Sequence, residues 1–166
     1  MNQPAIFSSQ QLSFVVQNAT DNFVLKDDLS EESLQQVILS TIQTVQSQYE
    51  TDFQQIEISL RIVDLEEAQQ LNHQYRQKDY ATNVLTFEYG VDASRMLSAD
   101  IVICAAVVEQ EAREQDKRLS DHFKHLLVHG TLHALAFDHL EEAEAEEMEA
   151  LEIEILATFA IKNPYF

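Results

Sequence analysis

The stretch QIEISLRIVDLEEAQQLNHQYR, Gln55–Arg76, changes its period midway, and the fold class follows from that change. In its first nine residues Ile56, Ile58, Leu60 and Ile62 alternate with polar neighbours, the repeat of two that gives a strand one buried face. From Asp64 the repeat lengthens. Leu65, Ala68, Leu71 and Tyr75 recur at helical spacing behind an Asp64–Glu67 pair that has the spacing of a capping box. The segment is therefore predicted to be a strand followed by a helix that ends close to Arg76.

Working outward, QLSFVVQN (11–18) reads as a short strand. Ser30 reads as an N-cap with Glu31 and Glu32 in the first turn, and Leu34, Val37, Ile38, Val45 and Tyr49 mark the inner face of the helix it opens. NVLTFEY (83–89) and ADIVIC (99–104) are two further strands, with a loop expected around Gly90. Beyond them the pattern is helical: residues 105 to about 115, about 121 to 135, and 141 to about 160. Strands in the first two thirds, with helices interspersed and then clustered, predict an α+β fold with a sheet of about four strands. At 166 residues the chain is expected to form a single domain, 1–166. Tyr75, Phe87 and Tyr89 are expected in its core rather than free to stack on bases.

The N-terminal stretch MNQPAIFSSQQLSFVV has no basic leader and no sustained apolar run, which predicts a cytoplasmic protein without a membrane anchor. Cys104 is the sole cysteine, so an internal disulfide and a cysteine-rich metal site are excluded, and it reads as a small buried apolar residue. A net charge of −19 argues against polyanion binding in general. Its distribution weakens that objection, because Arg61, Arg76, Lys78, Arg95, Arg113, Lys117, Arg118 and Lys124 gather in the middle of the chain. Eight of the acids, by contrast, lie between Glu141 and Glu154. That acidic run is expected to be a solvated helix face.

HGTLHALAFDH, His129–His139, carries three of the six histidines. Residues four apart on a helix lie one turn above each other, so His129 and His133 aim their rings the same way. His139 completes a site if the helix stops soon after His133 and the chain doubles back. Three imidazoles with a vacant fourth position make a catalytic rather than a structural zinc geometry. Asp138 is a candidate supporting or turn residue, and His122 and His125 are neighbours rather than ligands. His73 reads as a solvated helix position. A zinc peptidase with this spacing needs a glutamate after the first histidine to take a proton from water. Gly130 stands there instead, so peptide hydrolysis becomes the lesser reading.

Several blocks together resemble the YbeY family of bacterial ribosomal RNA maturation factors, which are metal-dependent endoribonucleases. LNHQYRQKDYATNVLTFEY is similar to the family's asparagine, tyrosine-arginine and TNVLSF block, and ADIVIC to its GDIVI strand. HLLVHGTLHALAFDH is similar to HLVVHGxLHLLGYDH, and EAEEMEALEIEIL to its closing helix; the likeness runs from Leu71 to about Leu156. It implies one zinc ion held by His129, His133 and His139, and an activity-supporting arginine at Arg76. His125 falls on a family histidine without an assigned role. The implied fold is a mixed sheet flanked by helices with a metalloprotease-like zinc site. Ala136 and Phe137 depart from the family's glycine and tyrosine, and Ala99 from a glycine before Asp100. A left-handed backbone at 136 would cost alanine roughly 1 kcal/mol, which metal binding could absorb.

Three neutral imidazoles on zinc bring the pKa of bound water to about 7, so hydroxide is available without a dedicated carboxylate. Arg76 would offer a charged planar fork to a phosphodiester. Its ordinary alternative is a surface ion pair. Lys78, Arg113, Lys117, Arg118 and Lys124 either steer RNA or form a solvated face. The resemblance thus implies a zinc-dependent, single-strand-specific endoribonuclease that matures the 3′ end of small-subunit ribosomal RNA and serves ribosome quality control. Its partners would be precursor RNA and the small subunit or its proteins, without a membrane. A zinc metallopeptidase and a non-catalytic assembly factor with a structural metal remain the alternatives. Imidazole also suits nickel, copper and iron.

Overall fold

The computed structural model describes residues 6–76, 82–137 and 142–165, the side chain of Arg76 excepted. The alternation in the middle of the chain produces β2 (Gln55–Val63), and β1 (Leu12–Asn18), β3 (Val84–Val91) and β4 (Met96–Cys104) join it in a sheet of order β1-β2-β4-β3. β1 and β4 flank β2 in parallel, and β3 runs antiparallel on the outer side of β4. The sheet is therefore mixed, and among the described residues five α-helices surround it: α1 (Glu31–Gln48), α2 (Leu65–Arg76), α3 (Ala105–Glu114), α4 (Leu119–Ala134) and α5 (Glu142–Ala157).

Ile56, Ile58, Leu60 and Ile62 of β2 are fully buried in the main core, together with Ile101 and Ile103 of β4. α1 covers them with Leu34, Val37, Ile38, Ile42 and Val45, while α4 contributes Phe123, Leu127 and Leu132, and α5 Leu151, Ile155 and Leu156. Ser30 caps α1 as expected, its hydroxyl accepting from the Ser33 N–H at 3.2 Å. Among the described residues the other face is thinly covered. Val63, Ala68, Leu85, Val102 and Cys104 make a small cluster with α2 and the start of α3, and burial pushes the Cys104 thiol up.

This thin cover explains where the sequence reading of the aromatics fails. Tyr75 and Tyr89 are 59% and 64% exposed rather than core, because among the described residues no helix covers the part of the sheet they border. With Phe87, Arg61, Glu67 and Asp100 they line an open cavity of about 390 Å³. Glu67 was expected to reach back to the start of α2. Both its oxygens instead engage Arg61 of β2, one at 2.7 Å.

Gly90 also differs from expectation. It lies inside β3, at a bulge with φ +75°, and the chain turns later, where Asp92 accepts from the Ser94 and Met96 N–H groups at 2.8 and 3.0 Å. Bulges admit the left-handed residue that a regular ladder excludes. Among the described residues, no helix is long and apolar enough to cross a membrane.

Candidate metal centre

α4 lies against β3 and β4 at Gly130. A Cβ there would sit 3.1 Å from Ile101 Cγ2 and 3.3 Å from Thr86 Oγ1, so glycine permits the close approach of helix to sheet. With position 130 turned to the sheet, positions 129 and 133 share another face of the helix. The His129 and His133 rings have centroids 4.6 Å apart and an interplanar angle of 75°, and their Nε2 atoms are 3.1 Å apart.

The orientation of His129 is set from α5. Glu152, fully buried, lies with Oε1 2.7 Å from His129 Nδ1 and 3.5 Å from His125 Nε2, and its Oε2 accepts from the Tyr165 hydroxyl. Burial works against ionisation of this carboxyl, yet the His125, His129 and Tyr165 donors outweigh it and hold its pKa down to about 2. An ionised carboxylate has no proton to give, so His129 Nδ1–H is the donor. In the neutral form of a ring that donates from Nδ1, Nε2 is the lone-pair nitrogen.

The spacing of the two Nε2 atoms fits a metal. Ligands at about 2.0 Å in a tetrahedral arrangement stand about 3.3 Å from each other. The observed 3.1 Å is within a few tenths of that value. Among the described residues no group of three histidines, cysteines or acids converges on one point. His139, the expected third ligand, and Asp138 lie outside the described residues.

α4 ends in a defined cap. The Phe137 N–H bonds to the Leu132 carbonyl at 3.0 Å and the Ala136 N–H to that of His133 at 2.9 Å, the Schellman pattern, with Ala136 left-handed at φ +73°. Phe137 then packs edge-on against Tyr49 with ring centroids 5.1 Å apart, and Tyr49 donates to Glu147 of α5.

Other residues singled out in the sequence sort around this pair. His125 packs edge-on against Tyr165 beside Glu152, as a neighbour of the site. His122 is buried and turned elsewhere. Its Nε2 lies 3.1 Å from Glu111, which also accepts from Asn83, and burial lowers its pKa. His73 is exposed. Arg76 is the last residue of α2, on the sheet face opposite α4, and its side chain lies outside the described residues, as does Lys78. Of the remaining basic residues, Lys117 donates to the Pro164 carbonyl at 2.9 Å and Arg118 pairs with Asp28 at 3.1 Å.

The sequence reading missed Glu152 by treating the acidic run as a solvated face. Its signal was present. Met148, Leu151, Ile155 and Leu156 form the apolar stripe of α5, and position 152 falls on that stripe.

Comparison with known proteins identifies the family. A family profile described as endoribonuclease YbeY matches residues 18–160. A relative from Delftia acidovorans, called endoribonuclease YbeY, is 61% identical over 110 residues, which span 66% of this chain and 71% of that one. Another of the same name from Idiomarina loihiensis is 43% identical over 148 residues, 88% of this chain and 91% of its own. A solution structure of a Thermotoga maritima protein shares the fold with a TM-score of 0.52 at 19% identity, covering 89% of this chain and 91% of that one. With a matched profile over most of its length and relatives this similar, the chain belongs to the endoribonuclease YbeY family.

Proposed function

We propose that this protein is a zinc-dependent endoribonuclease that cuts single-stranded regions of precursor ribosomal RNA. Its role is maturation of the small-subunit 3′ end and ribosome quality control, in the cytoplasm and in contact with the small subunit. The observation that carries the reading is the His129–His133 pair, whose Nε2 atoms lie at a spacing suited to one metal ion and whose first member is fixed by a buried carboxylate. Family membership supports RNA as the substrate.

His129, His133 and His139 would hold the metal. When bound, such a metal supplies Lewis-acid polarisation of a phosphoryl oxygen and activation of the attacking group. Glu152 keeps His129 in the tautomer that leaves Nε2 to bind. Family resemblance, rather than the position of α2 on the sheet face opposite α4, supports Arg76 as the guanidinium that would bind the scissile phosphodiester and counter the charge that develops on its oxygens. Cys104, buried on the other side of the sheet, takes no part.

A metallopeptidase is poorly supported. The glutamate it needs would occupy position 130, where even a Cβ meets Ile101. The test is cleavage of a precursor ribosomal RNA and of a peptide pool, each with and without chelator, by the wild type, His133→Ala and Arg76→Ala. RNA cleavage that the chelator abolishes, no peptide cleavage, loss of metal in His133→Ala and loss of turnover with metal retained in Arg76→Ala are expected. Peptide cleavage would favour the peptidase, and zinc binding without either activity would favour the assembly factor.

A further inference from the structure

We infer that Glu152 and Tyr165 are positioning residues for the metal ligand His129, so that the segment after α5 helps to set metal affinity. The inference rests on the metal reading above and adds residues that act through His129 rather than on substrate.

Among the described residues of α5, Glu152 is the only acid on the buried stripe, where an ionised side chain requires partners for both oxygens. Both are supplied. Oε1 faces His129 Nδ1 at 2.7 Å, with His125 Nε2 at 3.5 Å, and Oε2 receives the Tyr165 hydroxyl. A carboxylate that accepts from the far nitrogen of a ligating imidazole fixes its tautomer and ring plane and raises the basicity of the binding nitrogen.

Tyr165 is held in turn. Its N–H bonds to Asn163 Oδ1 at 2.9 Å, its ring packs edge-on against His125, and Lys117 holds the preceding Pro164 carbonyl at 2.9 Å. The contacts make one connected path from residues 163–165 through Glu152 to His129. Without the tyrosine hydroxyl, Oε2 of a buried anion would lose its donor, and the carboxylate would be free to rotate away from His129.

The experiment measures zinc affinity by competition with a chromophoric chelator for wild type, Glu152→Gln, Tyr165→Phe and His133→Ala. Imidazole ¹⁵N shifts of the metal-free proteins are recorded in parallel. Glu152→Gln should weaken zinc binding on the order of ten- to a hundredfold. Tyr165→Phe, which removes one hydroxyl from a partly exposed ring and leaves packing intact, should weaken it between about two- and tenfold. In the wild type the shifts should show His129 protonated at Nδ1, and in Glu152→Gln a mixture of tautomers, a change that a merely structural glutamate would not produce. If wild type binds zinc and His133→Ala does not, yet Glu152→Gln and Tyr165→Phe bind as tightly as wild type, the inference is wrong while the metal reading stands. It is equally wrong if His129 keeps its tautomer in Glu152→Gln. If wild type itself binds no zinc, the metal reading fails and takes the inference with it. Should Glu152→Gln fail to fold, Tyr165→Phe decides alone.

Discussion

Replacing Ala136 with glycine should stabilise the protein, although it removes a methyl group. Ala136 sits at φ +73°, where its Cβ crowds the backbone, and the left-handed conformation costs a non-glycine residue roughly 1–2 kcal/mol. Glycine relieves this but carries more chain entropy in the unfolded state, which takes back about 0.4–1 kcal/mol. Taking the middle of each range, about 1.5 less about 0.7, the net gain is about 0.8 kcal/mol. At roughly 2–4 °C per kcal/mol for a chain of this size, the melting temperature should rise by about 1–4 °C.

Ala160 provides an internal replicate. It too is left-handed, at φ +59°, and the Ile161 N–H to Leu156 and Ala160 N–H to Ala157 bonds, 3.0 and 3.1 Å, repeat the same cap at the end of α5. A chain with only two glycines has placed alanine at both caps. Ala150→Gly, at an exposed interior position of α5, is the control and should lose about 1 kcal/mol. Urea unfolding of chelator-treated protein is the assay, since bound metal would add its own linkage to the measured stability. A loss of stability in Ala136→Gly with an unchanged m value would refute the reasoning. So would an equal loss at all three positions.

Further outcomes follow from other contacts. Gly130→Glu installs the zinc-peptidase helix pattern, but overpacking against Ile101 and burial of an unpaired carboxylate should together cost about 3 kcal/mol or more. Circular dichroism melts should show this, with no peptidase activity gained; a stable, peptide-cleaving variant would contradict the packing described. Arg61→Met should lose up to about 1 kcal/mol at pH 7, because the pair with Glu67 is partly solvated. Arg61 donation lowers the Glu67 pKa in the folded state, so that contribution is present above the unfolded value of about 4.3. It fades as pH falls through the lower folded value. Denaturation of both proteins across pH 3–7 checks the sign, and a difference that grows toward acid would reverse it.

The period change at Asp64 made β2 and α2 legible, because each element buries a single face and periodicity reports burial. The same logic read α1 and the histidine spacing of α4. Strand order was not legible: β3 lies outside β4 because of pairing between distant segments, which no local pattern records. Tyr75 and Tyr89 were misread since an aromatic in a strand or helix implies a covered face, and here α2 and α3 leave that face partly open. Gly90 signalled a turn and marks a bulge, two settings that demand the same φ. Glu152 was hidden among like charges. Only its place on the stripe of Met148, Leu151 and Ile155 distinguishes it, and that requires asking which acid cannot face water.

The most direct measurement of the central claim is zinc content per chain, by elemental analysis, alongside cleavage of a precursor ribosomal RNA by the same preparations. Wild type should carry one zinc and cut the RNA, His133→Ala should carry none and cut nothing, and chelator-stripped wild type should regain both on adding zinc. Cleavage by stripped protein at the wild-type rate, or full zinc content in His133→Ala, would contradict the account.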